Sequence, residues 1–219
     1  MMRLSRSGGT PNIGVYASVN EGLSLVAANS APGFVRDIET ILGVETILTT
    51  ISNSFVIGSL VAMNSNGAVV SGLIEGSELA LIKEKIPVLM LRDKMNAAGN
   101  NILANDNGAI INPELGSIAE SQISDILGVE VVRAAIAGYS TVGSVCVATN
   151  KGCLCNVDVK EEDISLIQDI LKVEAKTGSV NHGSKYLGAG ILANSKGALI
   201  GDETTPIEMG KIEDGLVLY

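Results

Sequence analysis

Residues 103–132 read LANDNGAIINPELGSIAESQISDILGVEVV, and this stretch decides the fold. Its short apolar runs and turn residues predict two strands joined by a tight turn at Asp106-Asn107-Gly108, then a helix and a third strand. Asn107 and Gly108 are expected to supply the positive φ angles that a tight hairpin needs. The stretch therefore predicts one ββαβ unit.

The helix of this unit has recognisable start and stop signals. Ser117 and Glu120 have the spacing of a capping box, in which each side chain accepts a hydrogen bond from the backbone of the other residue. Gly128 is suited to end the helix because glycine adopts the left-handed conformation at little cost. The spacing therefore predicts a helix that begins near Ser117 and ends at Gly128.

The same stretch recurs about five times along the chain, at intervals of 41 to 45 residues. The hairpin glycines are Gly22, Gly67, Gly108, Gly152 and Gly197, and the turn asparagines are Asn20, Asn64, Asn105, Asn150 and Asn194. An earlier glycine accompanies each hairpin, at Gly14, Gly58, Gly99, Gly143 and Gly188. Apolar residues at i, i+3 and i+7 follow four of the hairpins, as one face of a helix requires. Features that keep one register in every copy indicate a repeat architecture.

We predict an α/β fold with a single domain, a five-bladed pseudosymmetric propeller of ββαβ repeats. The repeats span about 2–50, 51–94, 95–137, 138–181 and 182–219. The fifth repeat lacks its last strand, whereas residues 2–6 form a strand without a repeat of their own. Pairing of this N-terminal strand with the fifth repeat is expected to close the ring and remove an exposed sheet edge.

The composition argues against several classes of protein. A net charge of −9 and a pI near 4.6 disfavour a broad nucleic-acid-binding surface, although they allow a local RNA contact or a basic protein partner. Three cysteines give no disulfide framework and favour a reducing cytoplasm. Residues 46–74 carry no charge, but asparagines and serines interrupt the run, so we expect buried strands here and no membrane span.

Motifs for catalysis or metal binding are weak. Cys146, Cys153 and Cys155 suggest a metal or redox site, but small hydrophobic residues at the matching positions of the other repeats predict a core role. His182, the only histidine, is expected to be a polar turn residue because no nucleophile or ligand cluster accompanies it. Residues 161–163 (EED) suit the start of a helix, where the dipole favours carboxylates. We expect no catalytic residue, no metal and no cofactor.

The five repeats, the repeated glycines and two longer segments together carry a resemblance to a known family. The segments are VEVVRAAIAGYSTVGSVCVATNKG (residues 129–152) and VNHGSKYLGAGILANSKGALIGDETT (residues 180–205). Over residues 2–216 the chain resembles the archaeal translation initiation factor six family, a family of ribosome anti-association factors. The resemblance implies the pentein fold, a five-bladed ring of β/α units, and no enzymatic activity.

The resemblance also implies the partners. Such a protein binds the large ribosomal subunit and sterically prevents premature association with the small subunit, in subunit maturation and translation initiation. The expected contacts are chiefly with a ribosomal protein at the inter-subunit face, next to the sarcin–ricin region, with limited RNA contact. We expect a cytoplasmic monomer with no membrane partner.

The repeats further predict where a partner docks. The earlier glycines share one pseudosymmetric position and are expected to encircle the axis, where glycine lets neighbouring backbones approach closely. The residues after them are small or polar, so the candidate ribosome-binding residues are Gly14, Val15, Gly58, Ser59, Gly99, Asn100, Gly143, Ser144, Gly188 and Ala189. The resemblance places Ser59, Asn100, Val145 and Tyr186 on the ribosome-facing surface, with Ser59 where the family has a basic residue. In the alternative interpretation, the glycines serve only strand bends.

Two other classes of function stay open at this point. The wider pentein group includes guanidine-modifying hydrolases and transferases, which use a cysteine nucleophile with a histidine and carboxylates around the central channel. A ring that acts as a scaffold without a ribosomal role has the same sequence features. Turnover of a guanidine substrate favours the enzyme, whereas co-sedimentation with free large subunits favours the ribosome-binding factor.

Overall fold

The computed structural model describes residues 1–219. The strands are β1 (Met2–Ser5), β2 (Ala17–Val19), β3 (Leu23–Ala27), β4 (Glu45–Thr49), β5 (Val61–Met63), β6 (Ala68–Ser71), β7 (Val88–Leu91), β8 (Ile102–Ala104), β9 (Gly108–Ile111), β10 (Glu130–Arg133), β11 (Cys146–Ala148), β12 (Gly152–Cys155), β13 (Glu174–Thr177), β14 (Ile191–Asn194) and β15 (Gly197–Gly201). The helices are α1 (Pro32–Leu42), α2 (Ile57–Leu60), α3 (Gly76–Lys83), α4 (Ala98–Asn101), α5 (Ser117–Leu127), α6 (Val142–Val145), α7 (Glu161–Leu171), α8 (Leu187–Gly190) and α9 (Pro206–Leu216), and a 3₁₀ turn covers Ile13–Val15.

Five three-stranded sheets form the blades of a ring. In each blade two antiparallel strands form a hairpin, and a third strand pairs in parallel with the second strand of that hairpin. Blades one to five are β2-β3-β4, β5-β6-β7, β8-β9-β10, β11-β12-β13 and β14-β15-β1. The first strand of each hairpin contacts its counterparts in both neighbouring blades around a central axis. The predicted five-bladed α/β fold is thus confirmed.

The N-terminal strand closes the ring. β1 pairs in parallel with β15, with Met2 opposite Ala198 and Ser5 opposite Gly201. Residues 217–219 form no strand, so β1 takes the place of the missing last strand of blade five. The predicted pairing is confirmed, with the strand ending at Ser5 instead of residue 6. Blade five therefore has three strands like the other blades, and β15 is not left as an exposed sheet edge.

The long helices pack between neighbouring blades and build five local cores. The apolar stripe of α5, for example, buries Ile123 and Leu127 completely against Val69 of blade two and Ile111 of its own blade. Burial of such a side chain contributes about 1.5–3 kcal/mol to the free energy of unfolding. Because each of the five cores contains residues from two neighbouring blades, every core also fixes the angle between neighbouring sheets.

The start of α5 differs from the prediction. Ser117 is the first helical residue and Gly116 is the N-cap, so the expected capping box between Ser117 and Glu120 is wrong. The Glu120 carboxylate instead lies 3.0 Å from the guanidinium of Arg133. Gly128 ends the helix in the left-handed conformation, with φ +64°, as predicted.

The hairpin turns are held by a side chain and do not use positive φ angles. Asn107 and Gly108 both have negative φ, so that part of the prediction is wrong. The Oδ1 atom of Asn105 accepts the backbone N–H groups of Asn107 and Gly108 at 2.9 and 3.1 Å. Glycine is needed at Gly108 for space, because a Cβ there would lie 2.1 Å from the carbonyl oxygen of Ile170.

Strand pairing also corrects the repeat register by one residue in two blades. Leu23 lies opposite Glu45 as Gly108 lies opposite Glu130, so Leu23 and not Gly22 is the counterpart of the hairpin glycine in blade one. In blade four the turn residue is Thr149 and not Asn150, because the Thr149 hydroxyl accepts the N–H of Gly152 at 3.2 Å.

A belt of polar side chains surrounds the axis at the end where the hairpins turn. Asn20, Asn64, Asn105 and Asn194 donate their side-chain amides to backbone carbonyls of the next blade, at 2.7, 3.2, 3.0 and 3.1 Å. Three of them also donate to the last carbonyl of a long helix, as Asn105 does to Leu171 at 2.9 Å. Thr149 holds the fifth position and makes no such link to blade five. We call Asn20, Asn64, Asn105, Thr149 and Asn194 the asparagine belt.

The uncharged run at residues 46–74 lies mainly in β4, α2, β5 and β6, as the buried-strand interpretation predicted. Val61, Ala68, Val69 and Val70 are all buried. Across the whole chain, none of the helices combines the length and the apolar character needed to cross a membrane.

Candidate docking surface

The end of the axis opposite the asparagine belt is built from five short turns. These are the 3₁₀ turn at Ile13–Val15 and the helices α2, α4, α6 and α8, each of which leads directly into the first strand of a hairpin. Because the second and third strands of a blade run back towards these turns, the connections that follow them reach the same end. We call this end of the molecule the glycine face.

Five glycines form a closed ring at the centre of this face. We call Gly14, Gly58, Gly99, Gly143 and Gly188 the glycine ring. A Cβ added to them would lie 2.1, 1.8, 1.8, 2.1 and 2.1 Å, respectively, from the carbonyl oxygen of the preceding ring glycine. Real Cβ atoms essentially never approach within 3.0 Å, so no other residue fits without moving the backbone. The glycines lie in helical turns and not in strands, which confirms the close-approach prediction over the strand-bend alternative.

The residues after the ring glycines line a shallow depression of about 110 Å³ on the axis. Val15, Ser59, Asn100, Ser144 and Ala189 are all partly buried there. The Ser144 hydroxyl donates to the carbonyl of Thr141 at 2.6 Å, whereas the side-chain amide of Asn100 makes no hydrogen bond within the protein. The structure therefore brings these five predicted residues together, with Asn100 as the largest uncommitted polar group.

The two remaining candidates have different environments. Tyr186 is 52% exposed and packs edge-to-face on Tyr139, with ring centroids 6.3 Å apart. Val145 is 0% exposed and lies in the core of blade four beside Ile136. The expectation that Val145 faces a partner is wrong. Its side chain packs into the core of blade four and anchors the short helix α6 there.

Large apolar side chains are exposed around the rim of the glycine face. Each follows the second strand of a hairpin or precedes a short turn, and therefore lies at this end of the molecule. They are Phe55, Leu73, Ile118, Val157, Tyr186 and Ile207. Ile118 and Ile207 are the most exposed, at 76% and 78%. The face thus combines a small, polar centre with an apolar rim.

Carboxylates in the first turns of three long helices fix the connections of this face. Glu208 accepts the N–H of Gly183 at 2.8 Å, the N–H of Thr205 at 2.8 Å and the hydroxyl of Ser179 at 2.8 Å. Burial alone would raise the pKa of Glu208, but these hydrogen bonds outweigh it and lower the pKa to about 2. We call Glu208 and its counterparts Glu78 and Asp163 the carboxylate latches.

The other latches repeat the arrangement. Glu78 accepts the N–H groups of Ser52 and Asn53 at 2.8 and 3.0 Å, as well as the hydroxyl of Thr50. Burial opposes ionisation of Glu78 as well, yet the hydrogen bonds lower its pKa. Asp163 accepts the N–H of Ala137 at 3.2 Å. Because Ser52, Asn53 and Ala137 have positive φ, the latches hold turns that are otherwise strained.

The residues considered for chemistry lie where the repeat analysis placed them. Cys146, Cys153 and Cys155 are at most 1% exposed and belong to the core, as predicted. His182 is an exposed turn residue with φ +63°. Residues 161–163 form the first turn of α7. The three thiols are enclosed in the core of blade four, whereas His182 is exposed in a turn.

Sequence reasoning did not identify the apolar rim or the latches. A signal for the rim was present, because Ile118 and Ile207 fall outside the i, i+3, i+7 stripes that the helices bury. A large apolar residue outside the buried stripe is expected to be exposed. Thr205 and Glu208 have the spacing of a capping box, which signals the local half of that latch. The hydrogen bonds to other connections had no signal, because those partners lie more than twenty residues away.

Comparison with known proteins gives a consistent result. The sequence profile of the eIF-6 family matches residues 2–215. The chain belongs to the eIF-6 family. It is 42% identical to translation initiation factor 6 of Picrophilus torridus, over 93% of this chain and 94% of that protein. It is 44% identical to the protein of the same name from Methanocorpusculum labreanum, over 94% of each chain, and 38% identical to that of Saccharolobus islandicus, over 95% of each chain.

Membership of the eIF-6 family supports a role in translation initiation. The match extends over all five blades, so it includes the glycine ring, the rim and the asparagine belt. The archaeal relatives are named as translation factors and not as enzymes, which agrees with the position of the three thiols in the core.

Proposed function

We propose that the chain binds the large ribosomal subunit through its glycine face and sterically keeps the small subunit away, in subunit maturation and translation initiation. The observation that supports this proposal is the position of six of the eleven exposed large apolar side chains around one end of a closed ring. Such side chains, when concentrated on one face, mark a surface that a partner covers. The eIF-6 family name directs the choice of partner to the translation machinery.

The chemistry of the face suits a protein surface. Interfaces between proteins place aromatic and apolar anchors around a closely packed centre. Here Tyr186 is exposed and lines the central depression, and Phe55 is exposed on the rim. The net charge of −9 favours a basic partner, as many ribosomal proteins are. The partner is chiefly a ribosomal protein at the inter-subunit face, next to the sarcin–ricin region, with limited RNA contact.

Steric exclusion needs no reacting group. A rigid ring bound at the inter-subunit face occupies space that the small subunit needs, and its closed sheets resist deformation. The protein then acts as a cytoplasmic monomer, without a cofactor and without a membrane.

Sucrose-gradient sedimentation with purified archaeal subunits tests the proposal. The protein is expected to co-sediment with free large subunits and not with small subunits or whole ribosomes, and its addition before mixing should reduce the whole-ribosome peak. Equal binding to both subunits, or unchanged formation of whole ribosomes at saturating protein, contradicts the proposal.

A further inference from the structure

One connection on the glycine face differs from the other four. Isolated β-bridges close four of the turns: Ser7–Thr10, Ile51–Ser54, Ile136–Tyr139 and Val180–Ser184. The connection from β7 to α4, residues 92–97, has no such bridge. It has six residues, against the seven of residues 50–56 between β4 and α2. This segment therefore breaks the five-fold symmetry of the face, and we call it the 92–97 segment.

The same segment has no carboxylate latch. Each latch is the third residue of its helix, and the third residue of α5 is Ala119, which has no carboxylate. The carboxylate of the next residue, Glu120, pairs with Arg133. In the latched turns the carboxylate accepts backbone N–H groups, as Glu78 does from Ser52 and Asn53. The N–H groups of Asp93 and Lys94 have no acceptor within the protein. The place that an anion fills in three other connections is thus left to solvent.

The 92–97 segment also carries the unpaired positive charge of the glycine face. Arg92 and Lys94 are exposed, and no carboxylate lies within 4.0 Å of either. The other cations of this face are all neutralised by carboxylates: Arg6 by Asp202, Arg133 by Glu120, Lys160 by Glu162 and Lys185 by Asp158.

The acidic residue within the segment does not neutralise these two cations. The carboxylate of Asp93 accepts the N–H of Met95 at 2.9 Å and is held against its own backbone. The side-chain amide of Asn96 makes no hydrogen bond within the protein. The segment thus offers a guanidinium, an ammonium, an amide and two backbone N–H groups, all of them donors.

We propose that the 92–97 segment binds the phosphate backbone of RNA, and this inference rests on the proposed docking of the glycine face on the large subunit. Arg, Lys and Asn side chains together with backbone N–H groups are the usual donors to phosphate oxygens. An acidic protein patch is the less suitable partner, because protein interfaces also need aromatic or apolar anchors. The segment contains no aromatic residue, and its one large apolar side chain, Met95, is partly buried against the core beside Ile102 and Ile111.

The test compares two double variants of the full chain that remove the same charge. Arg92→Ala/Lys94→Ala removes the segment's cations, and Arg36→Ala/Lys211→Ala removes two unpaired cations from the outer helices α1 and α9. Affinity is measured between 50 and 200 mM salt for purified large subunits by sedimentation, and for protein-free large-subunit RNA by filter binding. The slope of log affinity against log salt reports the number of phosphates neutralised, at about 0.7–0.9 per contact.

The Arg92→Ala/Lys94→Ala variant is expected to bind both probes about 10-fold more weakly than the matched control at 50 mM salt, with a slope smaller by about 1.4–1.8. A photo-crosslinking amino acid at Asn96 is expected to join the wild-type protein to RNA within the large subunit. Equal affinities and slopes for the two variants overturn the inference, and so does a crosslink to a ribosomal protein alone.

Failure of the docking proposal gives a different result. If the wild-type protein does not sediment with large subunits, the proposed function fails, and the filter-binding comparison with protein-free RNA still decides the phosphate site. A weaker variant in that comparison supports the site, and equal binding overturns it as well.

Discussion

The two ends of the central axis are closed by different interactions. At one end all five blades place a glycine against the carbonyl of the preceding glycine, with room for nothing larger. At the other end four blades use asparagine and one uses Thr149. The difference shows that backbone packing at the glycine ring permits no substitute in any repeat, whereas the belt's hydrogen bonds are separable and one link can be lost.

The two ends also differ in what they present to solvent. The asparagine belt uses its side-chain amides inside the molecule, on carbonyls of the next blade and of the long helices. The glycine face has an uncommitted amide at Asn100 and an exposed apolar rim. The asparagine belt therefore only joins the blades, whereas the glycine face joins the blades and also offers a surface for a partner.

The largest effect is expected for Gly99→Ala. Its Cβ would lie 1.8 Å from the carbonyl oxygen of Gly58, which forces two blades apart. Urea unfolding should show a loss of more than about 4 kcal/mol in the free energy of unfolding, or no folded protein. Gly210→Ala is the control, because Gly210 lies in α9 with open space around its Cβ position and should gain about 0.5–1 kcal/mol. If Gly99→Ala were as stable as the wild type, the glycine ring would be able to accommodate a larger residue, which would contradict this account.

Asn105→Ala tests the belt. The substitution leaves the carbonyl of Thr149 without its donor and removes one of the two amides that donate to Leu171. It also leaves the N–H groups of Asn107 and Gly108 without their acceptor. Urea unfolding should show a loss of about 3 kcal/mol, less than for the glycine ring. Asn29→Ala, at an exposed position, should change little. A loss larger than that of Gly99→Ala would reverse the comparison between the two ends.

Glu208→Gln tests how far charge holds the glycine face. Because the folded-state pKa of Glu208 is about 2, below the ordinary 4.5, its carboxylate contributes stability above pH 4.5 that is lost as the pH falls towards 2. The variant should lose about 2 kcal/mol at pH 7 and show a smaller fall in stability between pH 4.5 and 2. Glu213→Gln, exposed on the same helix, is the control. Identical pH profiles for the two variants would contradict the role of the latch.

The smallest effect is expected for Thr149→Asn, which restores the missing link of the belt. The new amide can donate to the carbonyls of Asn194 and Leu216, as Asn105 donates to those of Thr149 and Leu171. Thermal unfolding should show a gain of about 0.5–1 kcal/mol. Thr149→Ala serves as the matched control and should be less stable than the wild type, since it removes the acceptor for Gly152 N–H. A destabilised Thr149→Asn variant would mean that the belt does not tolerate an asparagine in blade four.

The sequence allowed prediction of whatever each repeat encodes by itself. Repeated glycines and helix stripes were enough for five ββαβ units, ring closure by β1 and the close approach at Gly99. Predictions failed where the reason for a residue lies outside its own segment, in another blade or in a later strand of the same blade. Gly108 makes room for the carbonyl of Ile170 and does not serve a turn, and Glu120 pairs with Arg133 instead of capping α5. The 92–97 segment left one trace in the sequence, the short interval of 41 residues between Gly67 and Gly108.

The docking candidates divide in the same way. Ser59, Asn100 and Tyr186 lie on the glycine face, whereas Val145 is buried because a short helical turn needs an apolar anchor next to its glycine. The sequence of one repeat does not distinguish a position on the glycine face from a buried one, because the two are adjacent in the chain, as Ser144 and Val145 are.

The most direct test of the docking claim is the affinity of Asn100→Arg for purified large subunits. Asn100 lies at the centre of the glycine face, so a bulky charged side chain there should obstruct docking. We expect binding about 100-fold weaker with an unchanged melting temperature, a similar loss for Ser59→Glu, and no loss for Gln168→Arg on the exposed surface of α7. Normal binding by Asn100→Arg together with impaired binding by Gln168→Arg would show that the partner docks elsewhere.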